Sequence, residues 1–308
     1  MNSDFYELTV GEDLAGIRLD AYIYAMLQDV FASRAQVQKM IQDRLVQVND
    51  SVVQKAGYKV TKNDNILCQC IYTEECNVKA EDIPLSIVYE DDDIIVINKP
   101  RGMVVHPGAG NFTGTLVNAL MYHCNSLSDI NGEIRPGIVH RIDKDTTGLL
   151  VAAKNNDAHV HLAKQLEKHT MSRTYFAVTE GIVQSNKGII DAPIGRKPND
   201  RIKMAINIKN GKDAVTHYEV LSRSDNFTYV KCNLETGRTH QIRVHMAFIK
   251  HPVVGDPLYG IKDTRGMNGQ ALHAGELRLV HPVTQQEMVF TAPVPEDFYD
   301  LLKRTDLV

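Results

Sequence analysis

Long apolar runs are missing from this 308-residue chain. The longest aliphatic stretches, such as "LLVAA" at 149–153, fall far short of the ~20 residues that span a bilayer. The opening "MNSDFYELTV" has neither a basic n-region nor an apolar h-region, so no secretory signal is expected. Cysteine is sparse: Cys68, Cys70, Cys76, Cys124 and Cys232, with no C-x-x-C pair. An odd, scattered set supports neither a disulfide framework nor a structural zinc site. A reducing, cytoplasmic setting without membrane attachment is the expectation. Basic excess is missing too, because 34 Lys and Arg face 38 Asp and Glu, a net charge of −4. Any contact with nucleic acid must therefore come from local clustering.

What is present is enough apolar material, 43% of the residues, for a substantial core and about two domains. Residues 11–72 read as a small α/β module. "RLDAYIYAMLQ" places Leu19, Ile23, Met26 and Leu27 at helical spacing. Ser33 is a candidate cap for a second helix, with Val37, Met40, Ile41 and Leu45 inward and Arg34, Gln38 and Gln42 on a polar face. A hairpin follows, with Asn49-Asp50 at its turn. The acidic stretch beginning at 73 reads as a solvated linker over 73–87, and a larger domain runs from 88 to 308. That domain alternates short β-rich runs with a few helices. "DDIIVINKP" and "GLLVAAK" read as buried strands, "NDAHVHLAKQLEKH" as a helix and "RTYFAVTEG" as a half-exposed strand. "VTHYEVLSRSDNFTYVKCNLETG" reads as a hairpin and "RTHQIRVHMAFI" as a helix. The expected class is α+β with a mixed, mainly antiparallel sheet. Within it, residues 196–243 hold ten Lys or Arg against five acids, a balance that fits either a phosphate-facing surface or a solvated basic face.

"GIVHRIDKDTTGLL", 137–150, gathers His140, Arg141, Asp143 and Asp145 where a polar loop enters a buried strand. A metal site built from His140, Asp143 and Asp145 is disfavoured by Arg141 and Lys144 beside the acids. His240 and His245 stand five apart, which misses the i, i+4 spacing of helical ligands. "GAGNFTGT", 108–115, lacks the P-loop lysine, and no G-x-S-x-G occurs. A carboxylate paired with an arginine remains, since burying the acid demands a cation and arginine's fork fixes its orientation. From spacing alone, Asp143 as a turn or capping residue stays the weightier alternative.

At these residues the sequence closely resembles the H-R-L-D-x-x-T-[ST]-G motif of pseudouridine synthases of the RluA type. "EDDDIIVINKPRGMVVHPG", "SRTYFAVTEG", "ETGRTHQIRVHMAFIKHPVVGDPLYG", "LHAGELRLVHP" and "FTAPVPEDF" resemble further family blocks, in order, over about 85–300. Residues 11–72 resemble the S-four-like RNA-binding module often found ahead of that domain.

The resemblance implies a pseudouridine synthase catalytic domain that isomerises uridine in RNA with neither metal nor organic cofactor. It implies Asp143 as the essential acid, Tyr175 as the residue that stacks on the target base, and Arg243 as the partner of Asp143. His140, Arg141, Thr146, Arg238 and His240 are expected to contact the substrate, and Arg34, Lys39, Arg196 and Lys203 the surrounding RNA. Ile142 replaces the usual leucine, and Arg173 stands where lysine is common. The wording matches the ribosomal members best. The expected partner is therefore 23S-type large-subunit rRNA or a pre-ribosomal particle, met by a monomer. A non-catalytic RNA-binding assembly factor on the same fold is the alternative, disfavoured by the intact Asp143, Tyr175 and Arg243. Residues 11–72 carry seven Lys or Arg and seven acids, so RNA contact there has to be local, through Arg34 and Lys39.

Overall fold

The computed structural model describes residues 2–27, 34–72, 78–108, 111–132, 135–197, 203–261 and 263–308. The chain divides into two compact units, Met1–Asn77 and Val78–Val308.

In the first unit, strand β1 (Asn2–Thr9) precedes helices α1 (Leu19–Met26) and α2 (Arg34–Gln42). Strands β2 (Val46–Val48), β3 (Ser51–Val52) and β4 (Asn65–Tyr72) complete an antiparallel sheet of order β1-β4-β2-β3. Asn49 and Asp50 close the β2–β3 turn with φ of 49° and 63°, the left-handed pair a tight hairpin requires. Leu19, Ile23, Val37, Met40 and Ile41 are buried as their spacing predicts. Met26 is exposed instead; Tyr22 is buried in the helix, its hydroxyl donating to Thr9 O at 3.0 Å. The proposed cap Ser33 lies outside the described residues.

The polar face of α2 is not simply solvated. Arg34 donates to both oxygens of the fully buried Asp20 at 3.1 and 2.8 Å, and Gln38 donates at 2.6 Å. Burial raises the Asp20 pKa, but the hydrogen bonds from Arg18, Arg34 and Gln38 outweigh it and hold the carboxyl below its ordinary range. The guanidinium expected to meet RNA is thus committed to tying α2 to α1, while Lys39 stays exposed.

In the second unit, strands β5 (Ile87–Glu90), β6 (Ile94–Lys99) and β7 (Thr147–Ala153) precede β8 (Ser172–Glu180) and β9 (Lys187–Asp191). A separate ribbon pairs β10 (Ile194–Arg196) with β11 (Met204–Ile206). Strands β12 (Val215–Arg223), β13 (Phe227–Leu234), β14 (Leu272–Val280) and β15 (Glu287–Thr291) follow. The large sheet runs β5-β6-β7-β14-β8-β13-β12-β9, with β15 on β14. Its pairings are antiparallel except β7 with β14, so the sheet is mixed and mainly antiparallel, as expected. Residues of the expected linker belong to this unit from Val78 onward. Val78 is buried in its core, and Glu81 N–H donates to Asn118 O.

The continuous apolar runs are explained by burial on both faces of the sheet. Ile94, Val96, Leu149 and Val151 pack with Ala158 and Leu162 of helix α4 (Asn156–Glu167). Ile95, Ile97 and Leu150 face the opposite layer. There they join a core with residues of α3 (Leu116–His123), α5 (Gln241–Phe248) and α6 (Glu296–Arg304).

The parallel seam between β7 and β14 seats the loop before β7. Gly148 has φ of 108°, and a Cβ there would collide with the Ala274 backbone. Beside it, the Thr147 hydroxyl meets His273 Nδ1 at 2.8 Å. Gly148→Ala is expected to cost about 3 kcal/mol, combining backbone strain with overpacking. A lowered urea midpoint checks this; an unchanged midpoint contradicts the close approach.

Candidate active site

The loop from His140 to Thr146 is held by its backbone rather than by helix or strand. Thr146 N–H donates to Asp143 O at 3.1 Å, closing a turn. Lys99, fully buried at the end of β6, donates to the carbonyls of Pro100, Met103 and Lys144 at 2.8, 2.8 and 2.9 Å. Burial pushes its ammonium down to about 7, while Asp145 and Asp143 oppose the fall. Arg101 donates to Asp145 O at 2.6 Å and Gln270 O at 2.8 Å. These two side chains hold the consecutive carbonyls of Lys144 and Asp145, just after Asp143.

Arg243 comes from α5. That helix begins at Gln241, later than expected, because residues 236–240 form a turn closed by the Gln241 side chain. Its Oε1 accepts from Thr236 Oγ1 and Arg238 N–H, and its Nε2 donates to Val215 O. His240 enters the helix in the left-handed region, φ 58°. Arg243 then lies two residues into a buried helix, 4% exposed, and its fork spans two acids. Nη1 donates to Asp143 Oδ2 at 2.8 Å; Nε and Nη2 donate to Asp256 Oδ2 and Oδ1 at 2.7 and 2.9 Å. Asp256 is fully buried and also accepts the amides of Leu258 and Tyr259 at 2.9 and 3.1 Å. Burial works against the Arg243 charge, but the Asp256 hydrogen bonds and the Asp143 charge override it and raise the pKa. The Tyr259 ring packs against the guanidinium at 5.2 Å.

Asp143 and Arg243 border a cavity open to solvent, also lined by Arg141, Ile142, Arg173, Tyr175 and Leu272. Tyr175 projects from β8, and burial pushes its hydroxyl pKa up, keeping it neutral. His240 Nε2 stands 3.9 Å from Asp143 Oδ1, and its Nδ1 meets the Tyr259 hydroxyl at 3.0 Å. That hydroxyl already accepts from Met204 N–H at 2.8 Å, so its own proton is free for Nδ1, leaving the imidazole proton on Nε2. Burial lowers the His240 pKa and favours this neutral form.

The site therefore offers a carboxylate fixed by an immobile cation, a flat aromatic surface, and a neutral imidazole close by. Such a carboxylate can stabilise positive charge developing on a sugar carbon. It can also act as a nucleophile or base.

Asp143, Tyr175 and Arg243 meet as expected, and Arg141, Thr146, Arg238 and His240 also line the cavity. Thr146 accepts from Gln270 Nε2 at 3.0 Å, and Arg238 donates to Asp213 O at 2.8 Å. Arg141 donates to His106 Nε2 at 3.3 Å.

His140 does not join them and is not placed to contact substrate. It is buried, accepts from Val151 N–H at 3.2 Å and is driven down to about 3 by burial and by Arg173. Its role is to anchor the loop to β7. Arg196, exposed on β10, and Lys203, just ahead of β11, belong to the ribbon and not to the cavity wall. Arg34 and Lys39 belong to the first unit. Among the described residues, His140, Asp143 and Asp145 do not converge as metal ligands.

Sequence reasoning missed Asp256, Tyr259, Lys99 and Arg101. Asp256 lies inside "GDPLYG", but its type and spacing resemble any turn aspartate. Only its burial against Arg243 distinguishes it.

The RNA pseudouridylate synthase family model matches residues 93–248, and the S4 domain model matches 17–66. The chain is 51% identical over 297 residues to the uncharacterized RNA pseudouridine synthase YlyB of Bacillus subtilis, covering 96% of this chain and 97% of that one. It is 44% identical over 308 residues to ribosomal large subunit pseudouridine synthase D of Escherichia coli, covering 96% and 92%. The solved structure of human RNA pseudouridylate synthase domain containing 4 matches with 28% identity and a TM-score of 0.57, covering 72% and 93%. The chain belongs to the RNA pseudouridylate synthase family and is an enzyme that isomerises uridine in RNA.

Asp256→Asn is expected to slow pseudouridine formation about 10–100-fold, because the inner carboxylate that fixes Arg243 loses its charge. RNA affinity should stay within about 3-fold, since Asp256 is remote from solvent. Single-turnover rates and RNA dissociation constants check this; a full-speed variant contradicts the positioning role.

Proposed function

We propose that this enzyme converts uridine to pseudouridine in large-subunit ribosomal RNA, with Asp143 as the catalytic residue. The observation that carries the role of Asp143 is its 2.8 Å bond to Arg243 in a cavity shared with Tyr175. The rRNA assignment is supported by likeness to relatives named for the large ribosomal subunit. The proposed role extends to ribosome biogenesis, in the cytoplasm and as a monomer.

A uracil inside folded RNA is inaccessible, so the target nucleotide is flipped into the cavity. Tyr175 stacks on the base. Asp143, oriented by Arg243, faces the sugar as the carbon–nitrogen bond opens. Arg141, exposed at the cavity and held by His106, fills the space the nucleotide leaves or holds its phosphate. A second, open groove shares Arg141, Asp143, His240 and Arg243 with the cavity and is bordered by Val104 and Pro257. It offers a path for the flanking strand. Residues 11–72 add RNA affinity, with Lys39 exposed for the contact, and 88–308 carry the chemistry. Arg196 and Lys203 extend the basic surface.

Asp145 differs from Asp143 in its surroundings. Its carbonyl is taken by Arg101, its side chain lies against Gly269, and no hydrogen bond joins it to Arg243 among the described residues. Asp143→Asn is therefore expected to abolish pseudouridine formation while RNA binding survives, and Asp145→Asn to retain substantial activity. Pseudouridine mapping on unmodified large-subunit rRNA incubated with each variant tests this. Equal loss in both would overturn the assignment, and no product with wild type would overturn the substrate.

A further inference from the structure

Four arginines line the cavity, and three have accounted charges or hydrogen bonds. Arg243 is held between two carboxylates, Arg141 donates to His106, and Arg238 donates to Asp213 O. Arg173 is different. It is 9% exposed, and its Nε is buried with no hydrogen-bond partner. No carboxylate pairs with it among the described residues.

Its position is not accidental packing. Arg173 and Tyr175 are two residues apart on β8, so strand alternation sends both side chains to the same face. The register confirms the neighbourhood: Arg173 lies opposite Leu277 and Tyr175 opposite Ala274 on β14. Gly237 leaves the room the guanidinium needs, since a Cβ there would approach Nη1 to 2.9 Å. The charge of Arg173 acts on two buried neighbours, adding to the burial-driven fall at His140 and opposing the burial-driven rise at Tyr175. Arg173 is thus buried in the cavity wall, whereas Arg141 is exposed.

A buried cation with an unsatisfied donor is costly unless a ligand supplies the anion. The family reaction supplies one. When the C1′–N1 bond opens, its electron pair stays with uracil, and the ring becomes an anion delocalised over N1, O2 and O4. When C5 then bonds to C1′, that pair forms the new bond; the C5 proton is passed to solvent and N1 takes one up, which restores the C5–C6 double bond.

We propose that Arg173 is a catalytic residue that donates to the detached uracil and balances its negative charge until the carbon–carbon bond forms. The backbone phosphate is the other anion available. It stays on the strand outside, whereas Arg173 shares its strand face with the residue on which the base stacks. The inference rests on the family activity and on Tyr175 as the stacking surface.

The test compares Arg173→Gln and Arg173→Lys with wild type on unmodified large-subunit rRNA. Measured are the single-turnover rate, the RNA dissociation constant over a range of salt, and the melting temperature. Arg173→Gln should slow the chemical step about 100-fold or more, as loss of a transition-state donor does. The lysine variant keeps the charge and should stay within about 10-fold of wild type. RNA affinity and its salt slope should not change, and the glutamine variant should melt no lower than wild type, because an unpaired charge has been removed. A glutamine variant within about 3-fold of wild type in rate overturns the proposal. So does weakened binding with a salt slope shallower by about 0.7, which would mark a phosphate contact. Equal slowing of both variants with lowered melting temperatures would mark a structural role and also overturns it. An inactive wild type would instead refute the substrate assignment.

Discussion

One guanidinium joined to two carboxylates governs this site. Arg243 cannot deprotonate, cannot turn within its buried helix, and has donors matched to Asp143 on one side and Asp256 on the other. Two acids around one cation leave a net negative charge. Asp256 contains its share by accepting two backbone amides. The Asp143 carboxylate accepts no backbone amide among the described residues, and its outer oxygen lies towards the cavity and His240. The asymmetry assigns the work: the inner carboxylate fixes the arginine, and the arginine fixes the outer one.

The rest of the unit serves that ladder. Asp143 arrives on a loop that two cations clamp by its carbonyls, and that loop continues into a strand buried on both faces. Arg243 arrives on a helix whose first turn is stitched to β12 through Gln241. Tyr175 arrives on β8, paired to β14, which in turn lies beside β7. Three segments distant in sequence are thus fixed to one sheet, which holds the aspartate, the arginine and the aromatic ring in register.

The buried strands were legible because continuous apolar runs admit little else, as in "IIVI" and "GLLVAA". The β12–β13 hairpin, with its turn at 224–226, was legible from alternation and turn residues. Asp143, Tyr175 and Arg243 were legible only through family resemblance, because their meeting depends on strand order that spacing does not encode. His140 was misread for a physical reason. A histidine beside the catalytic motif looks like a substrate contact, but the residue before a buried strand can turn inward and accept a backbone amide. The ion pair of Arg34 with Asp20 was not legible, because nothing in the spacing of a polar helix face shows a buried acid beneath it. Asp256 and Lys99 gave no usable signal, since their importance lies in burial.

Replacing Arg243 by lysine tests the ladder most directly, because it keeps the charge and removes the fork. The account predicts a single-turnover rate lowered by about 10-fold or more with RNA affinity within about 2-fold of wild type, since one ammonium cannot orient both carboxylates. An unchanged rate, or a loss expressed wholly as weaker RNA binding, would contradict it.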